Sequence, residues 1–240
     1  MADWVLKGLA RGIRTTGWPA RVEKTPGVTP GRPGAVSRDD SPADVGVCPT
    51  HALEQSARGI AVDFSRCVHC QRCRGEGGVP WQDDFEWADW STQSRGPLPA
   101  SFRRSINVRY LDAGSCGGCM GEARLIDAPS YNLHRFGIFL TATPRDADVL
   151  LVAGPVTEAM RTPLRLTYEA MPEPRRVVVM GVCAINGGVF GQSYACVGGV
   201  DAVIPVDILV PGCPPPPLAI IHGLLLAAGR AEAASLERAP

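Results

Sequence analysis

Eight of the nine cysteines in this 240-residue chain fall into two sets of four, and their setting is that of thiolate ligands. Cys116 and Cys119 lie in Gly114-Ser115-Cys116-Gly117-Gly118-Cys119, Cys183 in Gly181-Val182-Cys183-Ala184, and Cys213 in Pro211-Gly212-Cys213-Pro214. Thiolates gathered from separate loops are how a chain builds a four-coordinate iron–sulfur site. Glycines beside them let backbone N–H groups approach the cluster sulfurs, where hydrogen bonds help set the potential. Four unrelated buried cysteines are the competing reading, since free cysteine is among the most buried residue types. One cysteine within a strand fits that reading, but four in turn sequences do not.

The second set is Cys67-Val68-His69-Cys70-Gln71-Arg72-Cys73, with Cys48-Pro49 upstream. Bacterial ferredoxins with two clusters carry C-x-x-C-x-x-C-x-x-x-C-P, whose last cysteine ligates the other cluster. Here Cys73 is followed by Arg74-Gly75-Glu76-Gly77, while the Cys-Pro pair stands upstream, before a hairpin-like Ile60 to Phe64. The segment resembles half of a ferredoxin pair, in which Cys48, Cys67, Cys70 and Cys73 hold one 4Fe–4S cluster. Tetrahedral zinc is the alternative for four cysteines, although structural zinc sites usually pair two C-x-x-C knuckles. His69 reads as a solvent-facing spacer or as a charge that tunes the cluster. The ninth cysteine, Cys196, reads as a small buried residue, and the odd total with no signal peptide argues against a disulfide framework.

These loops need a scaffold that brings them together. From Ile106 onward the pattern alternates: strands at Ile106–Leu111, Ile138–Leu140, Asp148–Gly154, Arg176–Gly181 and Val206–Val210, with helices from Met120 to Ile126, from Thr157 to Met171, and after Pro217. Nearly continuous aliphatic strands between helices indicate a parallel sheet, whose ligands bind at the carboxyl ends of the strands. The expected architecture is α/β: a parallel-sheet domain over residues 101–240, preceded by a small half-ferredoxin cluster domain over residues 48–100. Residues 1–18 show amphipathic helical spacing, with Val5, Leu6, Leu9 and Ile13 opposite Lys7, Arg11 and Arg14. Residues 19–47, rich in Pro, Gly, Ser and Asp, read as a linker.

Formal charge is balanced, with 24 basic and 24 acidic residues, so nothing general points to a nucleic-acid partner. The most apolar run, Leu218–Ala228, is too short to span a bilayer and contains His222 and Gly223. It reads as a buried terminal helix, and the chain as cytoplasmic.

From Val108 to Gly229 the chain resembles the small, cluster-bearing subunit shared by group 4 membrane-bound NiFe hydrogenases and respiratory complex I. The matching pieces are Cys116-Gly117-Gly118-Cys119 with Glu122, His134-Arg135-Phe136-Gly137, Thr143-Pro144-Arg145-Asp146-Ala147-Asp148 and Gly154-Pro155-Val156-Thr157. Further on come Gly181-Val182-Cys183-Ala184, Gly198-Gly199-Val200-Asp201 and Val210-Pro211-Gly212-Cys213-Pro214-Pro215. The resemblance implies a flavodoxin-like fold with the proximal cluster on Cys116, Cys119, Cys183 and Cys213, beside a partner's active site. Complex I has two adjacent cysteines where this chain has Cys116 and Cys119 separated by two glycines, which favours the hydrogenase branch of formate hydrogenlyase type. The implied role is electron transfer through two 4Fe–4S clusters, on the inner face of the membrane. The implied partners are a catalytic large subunit, a ferredoxin-like or other electron-carrier subunit, and membrane subunits. Glu122 reads either as a proton-relay group near that active site or as a first-turn residue satisfying a helix N-terminus; Tyr110, Arg135 and Arg145 are further candidates for the interface. A complex-I-like quinone oxidoreductase with a nickel-free partner is the alternative, and a stand-alone carrier or cluster scaffold the third reading.

Overall fold

The computed structural model describes residues 3–12, 15–21, 23, 27–34, 36–37, 44–56, 59–75 and 78–234. Helix α1 (Asp3–Arg11) buries none of its residues. Gly12 turns left-handed, at φ 64°, and ends it; Ile13 and Arg14 of the amphipathic spacing lie outside the described residues. Trp18 then leaves the helical pattern and is 3% exposed in the main core.

The segment that follows is tied down at two points. Strand β1 (Arg32–Pro33) pairs with β5 (Trp81–Gln82), and a three-stranded antiparallel sheet has the order β2 (Val36–Ser37), β4 (Gly59–Val62), β3 (Leu53–Ser56). So Arg32–Pro33 and Val36–Ser37 of the proline-rich stretch are paired in sheets, while residues 22, 24–26, 35 and 38–43 of it lie outside the described residues. Leu53, Ile60, Val62 and Val79 make a small separate core, with Cys48 and Cys73 packed against it.

The main sheet has six strands. They are β6 (Asp89–Trp90), β7 (Ile106–Asp112), β8 (Ile138–Leu140), β9 (Val149–Ala153), β11 (Arg176–Met180) and β13 (Ile208–Val210), in the order β6-β13-β11-β9-β7-β8. The five parallel strands thus run 2-1-3-4-5 by chain order, the flavodoxin-like winding. A separate short pair, β10 (Val156–Thr157) with β12 (Cys196–Gly198), lies beyond β9. Central strands β9 and β11 are buried at every position, which is why they read as unbroken aliphatic runs. Alternate side chains feed two cores: Val149, Leu151 and Ala153 face helices α2 (Gly118–Leu125) and α5 (Pro217–Ala227). Leu150 and Val152 join the other core, with Leu164 of α3 (Glu158–Glu169) and Ala184 of α4 (Val182–Asn186).

Strand β6 is the one antiparallel member and comes from the segment before residue 101. Its neighbours Trp87, Ala88 and Leu98 are buried in the main core. Asp207, fully buried, fixes this edge by accepting from Arg95 Nη2 at 2.7 Å and from Val177 N at 2.8 Å. Helix α5 lies entirely inside, and a Cβ on Gly223 would come within 2.5 Å of Val210 Cγ2, so the glycine permits close helix–sheet approach. No described helix is long and apolar enough to cross a membrane.

The one polar side chain of α5, His222, is 3% exposed; its Nδ1 accepts from Ala88 N (3.2 Å) and its Nε2 donates to Glu232 O (3.0 Å). That pairing needs the neutral ring, and burial pushes the pKa down, against the opposing influence of the Glu232 carbonyl and of Glu86 and Asp84. The unfolded chain therefore takes this proton at a higher pH than the fold does. Stability is full above ~6.5, the unfolded value, and falls as pH drops below it. Thermal melts across that window are expected to show a shallower acid slope in His222→Gln than in the parent. Parallel slopes would remove His222 from the account.

Candidate metal centres

The N-terminal set is assembled by one tight wrap and one remote loop. Cys48, Cys67, Cys70 and Cys73 line a single concavity with Pro33, Thr50 and Trp81. Within the triplet the spacer residues His69 and Gln71 are left-handed, at φ 54° and 61°, an uncommon state for residues with a Cβ. Their side chains are anchored: His69 Nδ1 bonds Gly31 O at 2.9 Å and Gln71 Nε2 donates to Pro30 O at 3.3 Å. The stretch read as a linker thus holds the triplet's turn in place. His69 is not a solvent-facing spacer, because its ring packs 4.7 Å from that of Trp87.

The thiols of this set sense one another. Burial pushes Cys67 up to about 12, and negative charge on Cys73, Cys48 and Cys70 adds to the rise. Cys48 goes the other way: burial opposes its thiolate, but the Thr50 hydroxyl and backbone N–H groups, Ala52 N at 3.2 Å among them, hold its pKa below the ordinary value. Backbone donors aimed at sulfur are the setting a thiolate ligand requires.

The C-terminal set sits at the carboxyl ends of three parallel strands: Cys116 and Cys119 after β7, Cys183 after β11, and Cys213 after β13. Cys119 is buried and its pKa is pushed up to about 12, first by burial and then by the charges of Cys183, Cys213 and Cys116. Cys183 rises through burial and through Cys213 and Cys116, while the Val189 N–H favours its thiolate. Glycine makes room at this site in a literal sense. A Cβ on Gly181 (φ 87°) would sit 2.7 Å from Cys119 Sγ, and one on Gly188 would sit 2.8 Å from Cys183 Sγ. Cys196 is part-buried in β12, outside both sets.

The two sets are joined by a side chain that sequence reading passed over. Asn186, three residues after Cys183, donates Nδ2 to Ser65 O at 3.0 Å, two residues before Cys67, and its Oδ1 accepts from Gly188 N at 2.9 Å. One amide thus touches both cysteine loops. The Asn-Gly dipeptide was the only signal for it, and a local one: it marks the end of α4.

Glu122 lies in the second turn of α2, because the helix begins at Gly118, ahead of the expected Met120. The N-terminal capping role is therefore ruled out by position. Burial raises its carboxyl pKa, and its charge adds to burial in raising Tyr131. Tyr110 lies beside Cys119 and Asp112, and burial, with the charges of both, raises the pKa of its hydroxyl. Arg135 donates to Trp18 O and Arg145 is exposed. Among the described residues no three His, Cys, Asp or Glu side chains close round a single metal ion.

The family model for the NADH ubiquinone oxidoreductase 20 kDa subunit matches residues 116–227. An uncharacterised protein of Methanocaldococcus jannaschii is 47% identical over 131 residues, 55% of this chain and 88% of that protein. The "probable membrane-bound hydrogenase subunit mbhJ" of Pyrococcus furiosus is 45% identical over 124 residues, 52% of this chain and 74% of its own. Formate hydrogenlyase subunit 7 of Escherichia coli is 38% identical over 146 residues, 61% of this chain and 57% of its own length.

Proposed function

This chain belongs to the family of the NADH ubiquinone oxidoreductase 20 kDa subunit, and we propose that it is the electron-carrying small subunit of a membrane-associated NiFe hydrogenase complex of formate hydrogenlyase type. The observation that carries the reading is the convergence of two separate four-thiol sets, linked through Asn186. Relatives named as hydrogenase and formate hydrogenlyase subunits support the branch. Cys48, Cys67, Cys70 and Cys73 hold one 4Fe–4S cluster, and Cys116, Cys119, Cys183 and Cys213 hold the other. The donor set fits such a group, as do the glycine-lined space at Cys119 and Cys183 and the buried indole N–H of Trp81 beside Cys73.

When bound, the clusters supply one-electron redox chemistry over a wide range of potentials. The chain's residues then do three things. The cysteine thiolates hold the iron, Ala52 N and Val189 N stabilise sulfur charge, and Asn186 keeps the two cysteine loops in register. Because tunnelling weakens steeply with distance, a fixed separation makes two sites in one chain a short wire. The half-ferredoxin segment faces the electron carrier. The C-terminal site faces a catalytic large subunit, and Val189, Phe190 and Tyr194, which are 67%, 51% and 98% exposed in the loop after α4, supply the apolar contact. Glu122, whose carboxyl holds its proton more tightly than usual, serves as a relay group there. Membrane subunits complete the assembly, with this chain peripheral on its cytoplasmic face.

Anaerobic purification of the tagged chain from its host, followed by metal and sulfide analysis, tests the reading. The expected result is about eight irons and about eight acid-labile sulfides per chain, with a copurifying large subunit that contains nickel. Stoichiometric zinc would reassign the N-terminal set. A nickel-free large subunit would turn the reading to a quinone-linked oxidoreductase, and a chain eluting alone at its own mass would make it a self-contained carrier.

A further inference from the structure

We propose that Trp81 tunes the reduction potential of the N-terminal site by donating its indole N–H to a sulfur there, an inference that rests on the two-cluster reading. Strand β5 pairs with β1, with Trp81 opposite Pro33, and both residues line the concavity of Cys48, Cys67, Cys70 and Cys73. The ring is held from two sides, edge-on to His69 at 6.4 Å and beneath the Arg74 guanidinium at 6.0 Å. Its Nε1 is shielded from solvent and has no hydrogen-bond partner among the described residues.

An indole N–H is a donor only, and leaving one buried and unpaired is costly. Trp81 shares the concavity with four sulfurs, those of Cys48, Cys67, Cys70 and Cys73. The same donor facing a cluster sulfur stabilises the more negative, reduced state and therefore raises the potential. His69 and Trp87 pack together at 4.7 Å between ring centroids, and neither is among the residues that line the concavity.

Trp81→Phe keeps the ring between His69 and Arg74 and removes only the donor. In the full chain it is expected to retain parent iron and sulfide, lower the midpoint potential of the N-terminal site in an EPR-monitored redox titration, and leave the C-terminal site unmoved. Parent-like loading with an unchanged midpoint would overturn the role of Trp81. Should the variant fail to load, the parent decides: with 15N-indole tryptophan, the reduced N-terminal site must show a 15N coupling in pulsed ENDOR, and its absence overturns the inference. A parent chain without iron on this set would instead sink the cluster reading itself.

Discussion

Cys213→Ser is expected to halve the iron and acid-labile sulfide of the chain, from about eight of each to about four, while Cys196→Ser leaves both unchanged. The contrast follows from where the two thiols stand. Cys213 leaves the end of β13 beside Cys119 and Cys183, close enough for its charge to raise the pKa of both. A serine hydroxyl there is a far weaker ligand for iron than a thiolate, so an iron is left uncovered and the cluster is lost. Cys196 pairs with Thr157 in a short strand and contributes nothing to either group of mutually sensitive thiols. Its replacement costs only the burial of a small polar group. The surviving iron in Cys213→Ser should carry the EPR signature of the N-terminal site. If that variant keeps full iron while Cys196→Ser loses half, the ligand assignment is wrong.

The two cysteine sets were easier to find in the sequence than the contacts around them. They stand out by type and spacing, with thiols placed in glycine- and proline-rich turns. The central strands β9 and β11 were equally plain, since burial on both faces demands unbroken aliphatic runs. Strand β6 was not legible: two residues, Asp89 and Trp90, carry no periodicity, and only pairing with β13 makes them a strand. Trp18 was read as part of an amphipathic helix because local spacing cannot reveal that the chain turns at Gly12 and sends the indole into a distant core. Helix α2 begins earlier than expected because Gly118, a weak helix former, is nevertheless recruited into its first turn. Trp81 and Asn186 had no signal at all beyond their neighbours, since their importance lies in partners far away along the chain.

Gly181→Ala is expected to empty the C-terminal site while the N-terminal one keeps its iron. Gly181 caps α4 at φ 87° and ψ 147°, a region that residues with a Cβ scarcely enter. It cannot relax out of that conformation cheaply, because its N–H donates to Val210 O at 2.8 Å and its carbonyl accepts from Ala184 N at 3.0 Å. The backbone alone therefore costs about 1–3 kcal/mol. The steric consequence is larger, since the new methyl would stand 2.7 Å from Cys119 Sγ, well inside contact distance. Cys119 is buried at the start of α2, and its sulfur is the nearest atom the methyl would meet. Either the thiol swings out of the site or α4 moves and takes Cys183 with it. Both routes separate ligands that the cluster needs together. Gly117→Ala separates the two contributions: it shares a positive φ, 96°, but its Cβ meets nothing within 4 Å. Loss of stability with retained iron is expected there, against loss of about half the iron in Gly181→Ala. A Gly181→Ala chain with full iron and parent thermal stability would show that the space beside Cys119 is not reserved for a cluster.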